Sequence, residues 1–222
     1  MTPPFLDRAD AGRRLATALR HHARTGNLLV LALPRGGVPV AYEVARALQA
    51  PLDLMLVRKL GVPGQEELAM GAIASGGVRV ISEDVVRAFD IPEREIAAVA
   101  ANEQHELDRR ERAHRVTRSL TDVRGKTIIL VDDGLATGST MRAAIAALRA
   151  QQIEKLIVAV PVAASESCAE LRGEVDEMVC VHTAEPFLSV GHAYRDFLQI
   201  SDEEVRELMR RSAEELESAS VR

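Results

Sequence analysis

Short apolar runs that alternate with helix-like segments predict an α/β fold: a largely parallel central sheet with helices on both faces. The runs are nearly continuous in apolar character, as expected of strands buried on both sides. No internal repeat or low-complexity linker breaks the pattern over 222 residues, a length that suits a single domain spanning 1–222 with appendages.

The runs are Leu28–Leu33, Leu52–Val57, Thr127–Val131, Leu156–Pro161 and Met178–Val181. Between them, Val38–Gln49, Ser139–Ala150 and Ser165–Leu171 read as helices, and an opening helix covers Ala9–His22. Ala69–Ala74 and Val78–Ile81, joined by Ser75-Gly76-Gly77, predict a small hairpin at the edge of the sheet. Ser201 with Glu204 three residues on is a capping box and starts a closing helix. Pro92 followed by a breaker-free stretch rich in Glu and Arg predicts one long helix, inserted over 92–119 between the second and third main strands.

Composition is that of an ordinary globular chain, with 47% hydrophobic and 27% charged residues. The net charge of −5 argues against a nucleic-acid partner, which calls for a basic excess, but leaves room for a small anionic ligand held by a few local donors. The longest uncharged apolar stretch, Leu156–Ala164, is too short to span a bilayer, and the N-terminus has no apolar signal-peptide core. A cytoplasmic location without membrane contact is expected. Cys168 and Cys180 lack metal-ligand or redox-motif spacing and read as idle thiols. The six histidines show no metal-binding spacing on a common element.

The chemistry concentrates in Ile128–Thr140, IILVDDGLATGST. An apolar strand ends at Val131, the carboxylates Asp132 and Asp133 follow, and a small-residue loop leads into a helix. Strand, small-residue loop and helix N-terminus together form a geometry in which backbone N–H groups converge on a phosphate. Thr137, Ser139 and Thr140 add hydroxyls, and Gly138 lets the backbone approach closely. The carboxylates would repel a phosphate but suit sugar hydroxyls one ring away. The Walker loop needs a Gly-Lys-Ser/Thr step and the dinucleotide fingerprint needs G-x-G-x-x-G; neither is present.

This segment resembles the signature of the type I phosphoribosyltransferases for 5-phosphoribosyl-1-pyrophosphate (PRPP). The resemblance implies that Asp132 and Asp133 bond the ribose hydroxyls and that Ala136, Thr137, Gly138, Ser139 and Thr140 hold the 5-phosphate. Gly134 departs from the family, which usually has an aliphatic residue there. The loop Leu33–Pro39, with Arg35, Gly36 and Gly37, resembles the family's pyrophosphate loop, and Arg58-Lys59 before Gly61 resembles the pair that contacts pyrophosphate in the adenine enzymes. Two further stretches, Phe5-Leu6-Asp7-Arg8…Ala11-Gly12 and Glu185-Pro186-Phe187…Tyr194-Arg195-Asp196-Phe197, resemble an uncharacterised group of phosphoribosyltransferase-like proteins.

The resemblance implies Mg²⁺-dependent transfer of the phosphoribosyl group from PRPP to a nitrogenous acceptor, with a nucleobase first in line and pyrophosphate leaving. Mg²⁺ is expected to arrive with PRPP, without dedicated side-chain ligands, since it favours phosphate oxygens and water. Ala136 stands where the oxopurine enzymes carry an acid, which counts against hypoxanthine or guanine. A general base would come from elsewhere, with Glu66 and Glu67 as candidates in what reads as a loop, although a plain solvated loop explains them better. Residues 183–222 form the candidate acceptor hood and closing helix, with Phe187 and Tyr194 as stacking rings or as filling for a small core. Arg109, Arg110, Arg112, Arg115 and Arg118 steer an anion or pair along their helix with Glu103, Glu106 and Glu111. A homo-oligomer is compatible with all of this. The alternative function is a non-catalytic PRPP or nucleotide sensor.

Overall fold

The computed structural model describes residues 3–114 and 121–220, which divide into two compact units. The first comprises residues 3–54, 121–137 and 153–220, and the second residues 55–114 and 138–152. The expected insertion at 92–119 falls within the larger second unit; its residues 115–119 lie outside the described residues.

The first unit holds a five-stranded parallel sheet of β1 (Leu28–Ala32), β2 (Leu52–Leu54), β6 (Thr127–Val131), β7 (Lys155–Ala164) and β8 (Glu177–Ala184), in the order β2-β1-β6-β7-β8. Every residue of β1 and β6 is buried, which is why those runs carry no polar alternation. Each large aliphatic side chain so buried contributes roughly 1.5–3 kcal/mol. The register is direct, with Leu28 opposite Thr127, Ile128 opposite Leu156 and Ile157 opposite Glu177. The sheet is flanked by α1 (Arg8–Ala18), α2 (Gly37–Leu48), α6 (Ser165–Leu171) and α7 (Asp202–Ser220). The opening helix is shorter than expected: after Ala18 the chain tightens into a 3-10 turn, Arg20–His22. Asp7 caps α1, accepting from the Asp10 N–H at 2.7 Å. The capping box of α7 forms as expected: the Ser201 N–H donates to Glu204 Oε2 at 2.8 Å, and the Glu204 N–H donates to Ser201 Oγ at 3.1 Å.

The second unit is built on a three-stranded antiparallel sheet, β3 (Val57–Val62), β4 (Gln65–Ala74) and β5 (Val78–Ile81), packed with α4 (Glu93–His114) and α5 (Ser139–Arg149). A short helix, α3 (Glu83–Ala88), precedes α4 and was not signalled by any apolar stripe. Two expectations change here. The run Leu52–Val57 is not one strand: β2 ends at Leu54, and β3 starts at Val57 in the other sheet. The Ala69–Ile81 hairpin forms but belongs to this separate sheet, not to the edge of the parallel one. No helix among the described residues is long and apolar enough to cross a membrane.

Candidate functional site

In the parallel sheet β1 has β2 on one side and β6 on the other. The connections therefore leave in opposite directions at this point, and such a switch opens a crevice at the carboxyl ends of the two strands. The loop after β1 and the loop after β6 are held side by side there, with the Leu33 N–H donating to the Val131 carbonyl at 2.9 Å. The approach is so close that glycine is required. A Cβ on Gly36 would overlap the Asp133 carboxylate, and one on Gly37 would lie 2.8 Å from the Val131 carbonyl oxygen and 3.0 Å from Asp132 Cα. The structure thus brings together Gly36, Gly37, Asp132 and Asp133, four residues singled out from the sequence for one ligand. Arg35 follows a cis peptide, is exposed, and has Asp202 Oδ1 3.7 Å away, a loose surface pair that holds it weakly.

The two carboxylates live in different surroundings. Arg8 donates from Nε to Asp133 Oδ2 at 2.8 Å and from a terminal nitrogen to the Leu198 carbonyl at 2.8 Å. Its guanidinium lies 3.8 Å from the centre of the Phe197 ring. Tyr194 donates its hydroxyl to the Asp133 backbone carbonyl. Asp132 accepts from the Asp133 N–H at 2.8 Å, yet removal from water, and then the neighbouring Asp133 charge, push its carboxyl well above the usual range.

A carboxyl raised in this way binds its proton more tightly in the folded than in the unfolded chain. Its contribution to stability is therefore fully present below the unfolded value and is lost as the pH rises through the folded value. Asp132→Asn is expected to stabilise the ligand-free protein by about 1 kcal/mol at neutral pH. Asp133→Asn strands Arg8 and should destabilise by about 1–3 kcal/mol. Urea denaturation of both variants at pH 7 checks the opposite signs; a shift in the same direction would disprove the asymmetry.

Beyond the acids, Leu135 forms a bridge to β7, its N–H donating to the Val162 carbonyl at 2.8 Å and its carbonyl accepting from the Ala164 N–H at 3.0 Å. Ser167 Oγ donates to the Ala136 carbonyl. Gly134 has a steric reason: a Cβ there would come within 2.5 Å of Val190 Cγ1 and 3.0 Å of Val162 Cγ1, so Val190 fills the space of the family's aliphatic side chain. Ala136 and Thr137 are exposed. Gly138, with φ of 74°, takes a left-handed conformation that glycine tolerates, and caps α5, which Ser139 and Thr140 begin in the second unit.

Arg58 and Lys59 lie on β3 in the second unit, not in a turn. Arg58 Nε is 2.6 Å from Glu103 Oε2, and Lys59 Nζ is 3.4 Å from Glu67 Oε2. Glu66 and Glu67 stand at the exposed start of β4, which corrects their expected place in a loop. Glu106 pairs with Arg109 and Arg110 along α4, and their hydrogen bonds bring its carboxyl down to about 2. That is the intrahelical pairing of the two open readings, made here by Glu106, whereas Glu103 reaches Arg58 on β3 instead; Arg115 and Arg118 lie outside the described residues.

Tyr194 corrects the acceptor expectation. Its ring is buried in a small core with Phe5, Ala11, Val162 and Ala193, against which the partly buried Phe187 packs. Its neighbours are Phe5 and Phe197, at ring-centre distances of 5.5 Å and 5.0 Å, and so it positions Asp133 without offering an open face. Arg8 went unassigned from the sequence, although a signal was there in the two stretches that resemble the uncharacterised group. They pair in space: the Phe5 N–H donates to the Ala193 carbonyl at 3.0 Å, and the Arg195 N–H to the Phe5 carbonyl at 3.0 Å. Both cysteines are free, and burial pushes the Cys180 thiol up to about 12, which keeps it unreactive as expected.

The family model described as a phosphoribosyl transferase domain matches residues 5–195. Two Mycobacterium tuberculosis proteins, from strains CDC 1551 and H37Rv, whose names assign them provisionally to the phosphoribosyl transferases, are each 47% identical over 201 residues, 90% of this chain. The match covers 45% of each relative, so the chain spans under half their length. The crystal structure of a Thermus thermophilus protein, 39% identical, superposes with a TM-score of 0.86 over 94% of this chain and 98% of that one.

Proposed function

Because the chain belongs to the phosphoribosyl transferase family, we propose that it is an enzyme that transfers the phosphoribosyl group of PRPP to a nitrogenous acceptor, a nucleobase first in line, and releases pyrophosphate. One observation carries the proposal: the switch-point crevice seats a glycine-lined loop against an acid pair, with one acid held by a buried arginine. Asp132 and Asp133 bond the ribose hydroxyls. The small-residue loop from Ala136 to Thr140 takes the 5-phosphate through backbone N–H groups and hydroxyls. Arg35, Gly36 and Gly37 neutralise the pyrophosphate as it leaves, and Arg58 and Lys59, on residue type and resemblance, serve the same anion.

The reaction is a displacement at the anomeric carbon, in which the bond to pyrophosphate breaks as the acceptor nitrogen arrives on the opposite face. Its transition state has oxocarbenium character, so the task of the protein is to hold the sugar and stabilise the leaving charge. One oxygen of each acid already has a partner, Asp133 Oδ2 with Arg8 and Asp132 Oδ1 with the Asp133 N–H, and the other is left for a ribose hydroxyl. Two such oxygens are too few for an all-protein Mg²⁺ cage, which supports a metal carried by the substrate. Mg²⁺ brought in with PRPP would supply charge neutralisation for the leaving pyrophosphate.

Incubation with PRPP, Mg²⁺ and a panel of bases should release pyrophosphate with at least one of them. PRPP binding with no turnover of any base would favour the sensor instead. In the Arg58→Ala/Lys59→Ala variant, affinity for PRPP and for pyrophosphate should fall about tenfold or more, while ribose 5-phosphate binds within about twofold of the unaltered chain. Equal loss of all three ligands would dismiss the separation into two anion subsites.

A further inference from the structure

At the end of the parallel sheet opposite the crevice, three potential metal ligands converge. His21 and His22 come from the 3-10 turn after α1, and Glu177 opens β8. His21 Nε2 is 3.0 Å from Glu177 Oε1, and His22 Nε2 is 3.1 Å from Glu177 Oε2. All three ligand atoms lie within 4.8 Å of one another. They come from two separate elements, which is why sequence spacing did not reveal them. His22 is buried, Glu177 half-buried and His21 exposed, so the cluster has a fixed floor and an open side.

We propose that His21, His22 and Glu177 form a Zn²⁺-binding site, with water in the fourth position. A tetrahedral ion with bonds of about 2.0–2.1 Å sets its ligands roughly 3.3 Å apart. The two nitrogens meet different oxygens of Glu177, each at close to that distance, so a turn of the carboxylate that presents one oxygen to both completes the triad. Two imidazoles and one carboxylate are a borderline donor set that suits Zn²⁺ and its mimic Co²⁺, and not Mg²⁺, which favours oxygen alone. Lys155 competes for the place, with Nζ 3.0 Å from Glu177 Oε2. Its side chain is 38% exposed and can turn into water when the ion arrives. The bound ion would tie the end of the first helical segment to the start of β8. It stands apart from phosphoribosyl transfer, since Glu177 and Lys155 open the amino ends of β8 and β7.

The test uses the full, untagged chain after dialysis against chelator. Zn²⁺ titration by calorimetry should give one site per chain, and Co²⁺ should develop the intense visible bands of a tetrahedral ion. His21→Ala, at an exposed position, and Glu177→Gln should each weaken binding by at least about tenfold, while Lys155→Ala should strengthen it. PRPP affinity should stay the same in all three variants, which separates this site from the proposed function. Absence of stoichiometric Zn²⁺ binding, or binding that His21→Ala and Glu177→Gln leave intact, would overturn the proposal and leave a hydrogen-bonded cluster only.

Discussion

Replacing Asp132 and Asp133 together with asparagine is expected to lower the affinity for PRPP by at least about tenfold. Each carboxylate that accepts from a ribose hydroxyl makes a charge-assisted bond of about 1.5–3 kcal/mol, and about 1.4 kcal/mol is a factor of ten. Asparagine keeps the size of the side chain but removes the charge and turns one acceptor into a donor. The two positions do not share the loss evenly. Asp132 is raised by burial and by Asp133, so its charge is costly in the free protein, and its asparagine variant exchanges binding for stability. Asp133 is paired with Arg8, so its replacement affects both. Inorganic phosphate is the control: it needs the loop and not the acids, and should bind the double variant as it binds the unaltered chain. PRPP titrated by calorimetry with an unchanged dissociation constant would mean that the acids do not touch the sugar.

Much of this site was legible because its signals are local. The Ile128–Thr140 segment carries its strand, acids and helix start in thirteen consecutive residues, and β1 with its glycine loop is equally compact. Continuous apolar runs sufficed to locate the five parallel strands, but not their order, on which the switch point depends. What was not legible depends on partners distant in the chain. Leu52–Val57 is apolar throughout, yet pairing changes sheets inside it, because apolar character reports burial and not which strand lies alongside. The Arg8–Asp133 pair spans 125 residues and has no periodicity to betray it. Gly134 departs from the family pattern until Val190, far along the chain, is seen filling the gap. Tyr194 could have been a stacking platform or core, and only the contacts of its ring and hydroxyl settle that it packs.

Arg8→Met should weaken PRPP binding by about tenfold or more without removing any group assigned to touch PRPP. Methionine retains an apolar stem to lie against Phe197, so the packing of the small core survives while the fork of donors is lost. Asp133, whose side chain is only 14% exposed, is then left without its cation. Its orientation toward the crevice should loosen, since the remaining tie, from Tyr194, reaches the backbone and not the side chain. Arg8→Lys should fall between, because a single ammonium cannot bond both Asp133 Oδ2 and the Leu198 carbonyl in the geometry the guanidinium spans. A role through Asp133 has a signature that simple loss of packing lacks. In a double-mutant cycle, Arg8→Met combined with Asp133→Asn should cost less than the sum of the two, with a coupling of about 1 kcal/mol or more. Additive losses would show that Arg8 serves the fold alone.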